Sequence, residues 1–473
     1  MRVGECSRSL VLGALVVAAS TRPARAQSLD AATVHRIDSV FSRFTPETPG
    51  CAAGVYQNGR VLFAKGYGSS NIEYGVPITP RTPFIMGSVS KQFTAAAIAL
   101  LVQDGRIRLD DDIRKYVPEL PDYGKKITID QLVHHMSGVR DFWSLVDASG
   151  MRPDDGYTVA DVVKLASRQR HLNFDPGAEY NYSNTGYVLL GVIVQRASGK
   201  SLRDFAAERI FQPLGMTVSH FHDDHNQPVR GRAIAYSPTS GGGWRINVWN
   251  NDIVGQGGLM TTLEELQKWD ENFYTGAVGG RTLLARQVER GVLNDGKQIA
   301  YAFGLEIGEY RGLPIVEHSG STGGYRTDLT RFPEQHTSVA TMCNVSNADA
   351  VGLAHRVADV VLGSRFTKPA AAANVRAAGQ AAGLAVTLTS SERAAMTGRF
   401  YSPELDATYD LRDAGDALVV VRARTVDTLR AVDRQTFRGS GYTLHFSAVN
   451  GGKEPTFTLD AGRIRGIEFS RTK

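Results

Sequence analysis

Strand-forming segments lie near the start of this chain and again beyond its middle, with helical segments between them. Residues 51–57 and 61–66 read as strands around Asn58-Gly59, and Asn-Gly between two strand patterns strongly favours a hairpin turn. Strand patterns return at residues 302–307, 315–318, 325–332 and 338–344, and helical patterns occupy residues 28–45 and 350–363. This order predicts an α/β fold of the α+β kind: one antiparallel sheet built from both ends, flanked by helices, with a helical insert.

The C-terminal part of the chain has a different pattern. From about Met396, short runs of alternating apolar and polar residues recur at 408–411, 417–423, 442–446, 456–459 and 464–469. Turn sequences separate some of these runs, among them Asp460-Ala461-Gly462. Short strands at regular spacing predict a small antiparallel barrel or sandwich.

The first 26 residues are typical of a secretory signal peptide. Arg2 and Arg8 give a basic start, residues 10–19 are apolar, and Ala24-Arg25-Ala26 has the small-x-small form of a signal-peptidase site. The apolar run is shorter than the roughly 20 residues that span a bilayer, and no later stretch has the pattern of a membrane helix. We therefore expect cleavage before Gln27 and an exported protein, periplasmic or secreted.

With 473 residues, the chain is long enough for two or three domains. After the signal peptide we expect a large domain at residues 28–365, an alanine-rich linker at 366–386 and a β-rich domain at 387–473. The net charge is +5, of which four arginines and one glutamate in residues 1–26 contribute +3, leaving +2 for the rest. No basic patch with interleaved aromatic residues is present, which argues against nucleic-acid binding.

Two cysteines, Cys51 and Cys343, follow the predicted cleavage site, and both lie in apolar, strand-like runs. We interpret them as two small buried hydrophobic residues. In an oxidising compartment they would form a disulfide if the two strands were neighbours, and the sequence leaves that alternative open.

The motif Ser88-Val89-Ser90-Lys91 precedes an alanine-rich run, residues 93–101, that is predicted as a buried helix. Residues three apart share a helix face, so this spacing places the Ser88 hydroxyl beside the Lys91 amine. Burial disfavours the ammonium form and lowers the lysine pKa, so the amine can act as a base for a serine nucleophile. Ser90 lies on roughly the opposite face and is not the predicted nucleophile.

Two further motifs carry groups that suit acyl transfer. Tyr182 can pass a proton to a leaving group, and the amide of Asn184 can hold both a lysine and a substrate carbonyl. His318-Ser319-Gly320 follows a strand pattern at residues 313–316, and a close approach at Gly320 would let an extended substrate pair with the strand edge. Backbone N–H groups of Ser88 and Ser321 would then form an oxyanion hole.

Together the three motifs resemble the S-x-x-K, Y-x-N and K/H-x-G elements of the serine β-lactamase and penicillin-binding DD-peptidase family. The resemblance is to its class C-like branch, which includes D-aminopeptidases and esterases, and it covers roughly residues 30–363. Similar stretches include Gly66-Tyr67-Gly68, His135-Met136-Ser137-Gly138-Val139 and Gly257-Gly258-Leu259. The C-terminal strands are similar to the lipocalin-like domains attached to some members.

The resemblance implies that residues 28–365 form a catalytic domain of the β-lactamase/transpeptidase type. Ser88 would attack a carbonyl and form an acyl-enzyme, with Lys91 and Tyr182 as the proton-transfer pair and no metal or organic cofactor. Expected substrates are small amides or peptides, including D-residue and peptidoglycan-derived ones, esters or β-lactams. The alternative is a penicillin-binding or peptidoglycan-sensing protein with little turnover.

The third motif carries His318 where efficient β-lactamases of this branch mostly carry lysine. A neutral histidine would recognise a substrate carboxylate less well than a lysine, so another group is expected to contribute. Arg326, eight residues further along, is the candidate, and a solvated charge at a strand end is the competing interpretation. The histidine variant occurs among DD-peptidases and D-aminopeptidases, which favours peptidase or amidase action over antibiotic defence.

A second, competing motif is His220-Phe221-His222-Asp223-Asp224-His225, which fits the H-x-H-x-D-H pattern of zinc hydrolases. That architecture needs a further histidine well downstream, and none lies between His225 and His318. A zinc-dependent hydrolase is therefore the less favoured alternative, and the predicted site holds no metal. The loop around Gly241-Gly242-Gly243 with Trp249 is a candidate wall for an apolar substrate.

Overall fold

The computed structural model describes residues 28–369, 388–415, 417–423, 425–447 and 454–472, together with residues 1, 4 and 386. The predicted signal peptide lies outside the described residues except for residues 1 and 4, and so does most of the predicted linker. In the described part, no helix is long and apolar enough to cross a membrane.

The helices are α1 Ala31–Val40, α2 Lys91–Gln103, α3 Ile129–Val133, α4 Phe142–Ser149, α5 Val159–Ser167, α6 Asn184–Ser198, α7 Leu202–Ala206, α8 Leu263–Thr275, α9 Gly280–Gln287, α10 Ala350–Leu362 and α11 Ser390–Met396. The strands before the linker are β1 Cys51–Gln57, β2 Arg60–Tyr67, β3 Ser69–Asn71, β4 Val76–Pro77, β5 Phe84–Ile85, β6 His220–Phe221, β7 Tyr236–Pro238, β8 Trp244–Ile246, β9 Leu259–Thr261, β10 Glu306–Tyr310, β11 Leu313–Thr322, β12 Tyr325–Phe332 and β13 Thr337–Cys343. The strands after the linker are β14 Gly398–Ser402, β15 Ala407–Asp413, β16 Leu418–Arg422, β17 Thr425–Ala431, β18 Thr436–Arg438, β19 Tyr442–Phe446, β20 Thr456–Ala461 and β21 Ile464–Arg471.

The main sheet has six antiparallel strands in the order β10-β11-β12-β13-β1-β2. The N-terminal hairpin therefore pairs with the last strand before the linker, and the predicted fold class is confirmed. One face of the sheet packs on α1 and α10, and the other packs on the helical insert around α2. Strand β10 of the main sheet begins at Glu306, four residues after the predicted start at residue 302, because Gly304 turns the backbone with a φ of 71°.

Cys51 and Cys343 are direct register partners in β1 and β13 and form a disulfide. The interpretation of two free buried thiols is therefore wrong. It failed because the pairing of β1 with β13 depends on the whole sheet, and the local sequence around each cysteine carries no sign of it. The disulfide joins strands β1 and β13, which come from opposite ends of the part of the chain that forms the main sheet.

Helix α2 is the centre of the helical insert, and its residues Lys91–Leu101 are all buried. Its short side chains, Ala95, Ala96, Ala97 and Ala99, let neighbouring helices such as α6 pack closely against it. This packing places the start of α2 under the exposed end of β11 and beside the start of α6.

The C-terminal strands close into a barrel in the order β14 to β21. Its interior is filled by aromatic and aliphatic side chains, and Phe457 and Phe469 stack with their ring centroids 4.6 Å apart. The sequence predicts either a barrel or a sandwich, and the structure is a barrel. Strand β17 has no clear alternation, since Leu429 is its one fully buried residue, and it was not predicted.

The barrel docks against α4 and α5 through buried polar contacts. Arg140, just before α4, forms an ion pair with Glu404 at 2.6 Å, and both side chains are almost fully buried. The Tyr409 hydroxyl donates a hydrogen bond of 2.6 Å to the Ala148 carbonyl. Because a buried charge without its partner is strongly destabilising, these contacts tie the barrel to one docked position.

Candidate active site

Ser88 and Lys91 lie at the entrance to α2. The chain forms a 3₁₀ turn over Gly87–Ser90, and Lys91 begins the α-helix. This geometry leaves Ser88 Oγ 3.1 Å from Lys91 Nζ. The motif that precedes the predicted helix is thus a tight turn that leads directly into it, and Ser88 and Lys91 share one face as the sequence predicts.

The surroundings of Lys91 Nζ fix the direction of proton transfer. It donates hydrogen bonds to Asn184 Oδ1 at 2.9 Å and to the Gln256 carbonyl at 2.7 Å, and both of these oxygens can only accept. A neutral amine has two hydrogens and one lone pair. With both hydrogens occupied, the lone pair faces the Ser88 hydroxyl.

Complete burial favours that neutral form of Lys91. Desolvation places the pKa of the Lys91 amine well below its usual value. The Asp141 carboxylate raises this pKa and the Arg463 guanidinium lowers it, each by less than burial does. The shift therefore favours the unprotonated amine, which is the form that can accept a proton from Ser88.

Tyr182 stands over the same lysine, with Lys91 Nζ 4.8 Å from the centre of its ring. Burial raises the pKa of the Tyr182 phenol, and a side-chain hydrogen bond with Ser88 offsets part of this effect. The phenol stays protonated, so it suits a proton donor to a leaving group better than a base.

Asn184 is the first residue of α6, and Asp141 holds it in one orientation. The backbone N–H and the side-chain NH₂ of Asn184 donate to Asp141 Oδ2 at 2.7 and 2.9 Å. The amide oxygen must then face Lys91. Sequence reasoning identified Asn184 and missed Asp141, although Asp141 follows the family-like stretch ending at Val139.

His318 lies on β11 and lines the cleft, and its imidazole is neutral. Its Nδ1 is 2.6 Å from the Ser319 carbonyl, which can only accept, so Nδ1 carries the hydrogen. Its Nε2, at 3.0 Å, accepts from the Tyr301 hydroxyl. Burial, together with the nearby Lys91, lowers the pKa of His318 to about 3. This side chain supplies no positive charge for a substrate carboxylate.

The backbone around Ser88 packs closely against β11 at the place where the sequence predicts the oxyanion site. Gly87 has a φ of 52°, and a Cβ there would lie 2.7 Å from the Ser321 nitrogen. A Cβ on Gly320 would lie 2.0 Å from the Met86 carbonyl oxygen. Only glycine permits this approach, which brings the backbone of Ser88 next to that of Ser321, and both residues line the cleft.

The cleft in front of these groups has a volume of about 770 Å³. Strand β10 pairs with β11 only as far as Glu317, so residues 318–322 present an unpaired edge to it. Trp143 and Trp249 form an aromatic wall, with ring centroids 5.8 Å apart. The lining includes Ser88, Tyr182, Asn184, His318 and Ser321, with Asp154, Glu306 and Arg463 as its charged members.

Arg326 is not among the described residues that line the cleft. Its guanidinium donates to the Gly323 and Tyr325 carbonyls at 2.9 and 2.7 Å. The lining cation is instead Arg463, which follows the predicted turn Asp460-Ala461-Gly462 between β20 and β21. That turn was visible in the sequence, but its docking at the cleft was not.

The three histidines of the zinc-like motif do not converge on one point. His220 Nε2 is 3.3 Å from His222 Nδ1, whereas His225 pairs with Asp252 at 2.8 Å. Within the described residues, the group whose ligand atoms lie close together is Asp224, His225 and Asp252. The tetrahedral His₃ arrangement of a catalytic zinc site is therefore not formed by these side chains.

This chain is similar to known proteins in sequence and in fold. The sequence profile of the Beta-lactamase family matches residues 37–362. A D-aminopeptidase from Gluconobacter oxydans is 28% identical over 310 residues, or 66% of this chain and 58% of that protein. A D-aminopeptidase from Brucella anthropi is 25% identical over 392 residues, or 80% and 73%. The match thus spans less than two thirds of the Gluconobacter protein.

Two solved structures have the same fold at low sequence identity. The octameric penicillin-binding protein homologue from Pyrococcus abyssi superposes with a TM-score of 0.62 at 22% identity, covering 93% of this chain and 99% of that one. The D-amino acid amidase from Ochrobactrum anthropi SV3 gives 0.59 at 23% identity, covering 71% and 100%. At this identity the likeness concerns the fold alone.

Proposed function

This chain belongs to the Beta-lactamase family and is a serine hydrolase, and we propose that it cleaves amide or peptide bonds of D-residue substrates through an acyl-enzyme on Ser88. The family predicted from the three motifs is thus confirmed. The observation that carries the proposal is the set of contacts of Lys91 Nζ, which lies 3.1 Å from Ser88 Oγ and 2.9 and 2.7 Å from the Asn184 and Gln256 carbonyl oxygens. In a neutral amine the two oxygens bind both hydrogens, which leaves the lone pair for the Ser88 hydroxyl.

The geometry supports the following sequence of steps. Lys91 takes the proton of Ser88 as Oγ bonds to the substrate carbonyl carbon, and the N–H groups of Ser88 and Ser321 bind the developing oxyanion. Tyr182 gives its proton to the leaving nitrogen as the C–N bond breaks, and Lys91 returns the proton it took to Tyr182. Water then attacks the ester, passes a proton through the same pair to Ser88 Oγ, and releases the acid.

The charges of the cleft favour a short substrate with free ends. Glu306, at the start of β10, lines the cleft beside the open edge of β11, and it forms no ion pair among the described residues. Arg463 lies on the other side, over the Tyr182 ring. The acyl residue would pair along β11 with its ammonium near Glu306, and a carboxylate on the leaving residue would face Arg463. The D-preference rests on the names of the relatives.

Glu306→Gln should weaken binding of substrates with a free amine. For D-alanine p-nitroanilide we expect KM to rise about 10- to 100-fold with little change in kcat, the size of a lost charged hydrogen bond of about 1.5–3 kcal/mol. N-acetyl-D-alanine p-nitroanilide, which has no amine, is the matched substrate and should respond less than threefold. Equal effects on both substrates would contradict this orientation, and a preference for the L-anilides would contradict the D-substrate class.

We also propose that the protein is exported. The signal-like residues 1–26 support this, as does the Cys51–Cys343 disulfide, since such bonds persist mainly in oxidising compartments. The periplasmic or secreted protein should have the intact mass of residues 27–473 less two hydrogens. Full-length protein with free thiols in the cytosolic fraction would contradict export.

A further inference from the structure

The residue pair Arg140-Asp141 connects the C-terminal barrel to the start of α6. On the barrel side, Arg140 Nη2 donates to the carbonyls of Arg465 and Gly466 at 2.7 and 3.2 Å, in addition to the ion pair with Glu404. On the α6 side, the Arg140 carbonyl accepts the Thr185 hydroxyl at 2.7 Å. Asp141 therefore occupies a position that is fixed from both sides.

Asp141 is a buried carboxylate that caps α4 and orients the Asn184 amide. Its side chain is 1% exposed. One oxygen accepts the Ser144 N–H and caps α4, and the other accepts both N–H groups of Asn184. An amide held in this way cannot rotate its oxygen away from Lys91 without losing a charged hydrogen bond.

Arg463 supplies the positive charge that faces this carboxylate. Its guanidinium lies 3.6 Å from Asp141 Oδ2 and 4.8 Å from the centre of the Tyr182 ring. Its backbone is held by two hydrogen bonds, from its N–H to Ser144 Oγ at 3.0 Å and from Asn173 Nδ2 to its carbonyl at 2.7 Å. The side chain thus extends from a fixed turn of the barrel into the cleft of the other domain.

We infer that Arg463 and Asp141 form an interdomain positioning pair, through which the barrel holds the Asn184 amide toward Lys91 and so completes the acyl-transfer site. The inference rests on the proposed function, in which Lys91 is the base. It assigns the barrel a part in the chemistry beyond shaping the cleft. Both residues act through Asn184 and Lys91 and touch no bond that breaks.

The two charges of the pair act on Lys91 with opposite sign. Several elements contribute groups that face this lysine: Asp141 before α4, Arg463 from the β20–β21 turn, Tyr182 and Tyr187 at α6, His135 after α3 and His318 on β11. The two tyrosines are protonated because burial raises their pKa values. The two histidines are neutral because burial lowers theirs. The charges that change the field at Lys91 are therefore those of the pair.

The test is the pH profile of kcat/KM for p-nitrophenyl acetate, which has neither amine nor carboxylate. Lys91 can act as a base only while its amine is unprotonated, at pH values above its pKa. The acidic limb of the profile therefore reports the pKa of Lys91. Asp141→Asn removes the charge that raises this pKa, and the limb should move to lower pH. Arg463→Gln removes the charge that lowers it, and the limb should move to higher pH. Each variant should also lose about 10- to 100-fold in kcat from a loosened Asn184.

Arg465→Gln is the matched control in the same hairpin. Arg465 pairs with Glu179 at 3.0 Å on a half-exposed surface and does not line the cleft, so its profile should equal that of the wild type. Arg463→Lys should restore the limb position. Shifts of equal sign, or Arg463→Gln behaving like Arg465→Gln, would overturn the inference. If Ser88→Ala still hydrolysed the ester, the proposed function itself would fall.

Discussion

Ser88→Ala should lower the hydrolysis of D-alanine p-nitroanilide by at least about 10³-fold, because among the described residues Ser88 carries the hydroxyl that hydrogen-bonds with Lys91 Nζ. Ser88 Oγ is the atom that faces both the amine and the cleft. The melting temperature should change by no more than about 4 °C, since the side chain is only partly buried and small.

Ser90→Ala is the control for this experiment. Ser90 is fully buried, donates to the Gly87 carbonyl at 2.6 Å and accepts the Leu259 N–H at 3.0 Å. Ser90→Ala should lower the free energy of unfolding, and the folded fraction should still hydrolyse the anilide through Ser88. A Ser88→Ala enzyme with wild-type turnover would exclude the acyl-enzyme mechanism.

Intact-protein mass after mixing with a penicillin separates the open alternatives for the same serine. A transient adduct with consumed penicillin would indicate β-lactamase turnover, and a lasting adduct would indicate a penicillin-binding protein that hardly deacylates. An unmodified protein that still cleaves D-residue anilides is the result expected for a peptidase site, and Ser88→Ala should give no adduct in any case.

Lys91→Met should lower kcat/KM by about 10²- to 10⁴-fold, the usual contribution of a positioned general base. Methionine fills a similar volume but cannot accept the Ser88 proton. It also leaves the Asn184 and Gln256 oxygens without their donor, which should cost about 1–3 kcal/mol of stability. Residual activity should no longer show the acidic limb that we assign to Lys91.

Lys65→Met is the matched control for that change. Lys65 is half exposed and pairs with Asp38 on the surface, so the same substitution there should leave both kcat/KM and the pH profile unchanged. If Lys91→Met kept the acidic limb, another group would have to be the base, and Tyr182 would be the first to test.

The local part of the site could be predicted from the sequence, and the part made between domains could not. The spacing of Ser88 and Lys91 is fixed by one helical turn, so it can be predicted without any neighbour. Arg463 reaches the cleft only because Glu404 and Arg140 dock the barrel in one position. The local sequence around Glu404 and around Arg140 gives no indication of that contact.

The same distinction explains the fold. The Asn58-Gly59 hairpin and most of the alternating strands are local patterns, and they were predicted within a few residues. Strands β14, β17 and β18 of the barrel were not predicted. The Cys51–Cys343 pair depends on which strands become neighbours. The polar strand β17 is held by its place in a closed barrel, since its sequence shows no clear alternation.

The pairing of β1 with β13 also constrains the order in which the chain can assemble. The β1–β2 hairpin is synthesised early, but the second partner of β1 follows only at residues 337–343. Until then β1 has an open edge, and closing the intervening loop costs entropy that no local contact repays. Completion of the sheet is therefore a late event in folding, and nascent chains that end before β13 expose an unpaired apolar strand that favours aggregation.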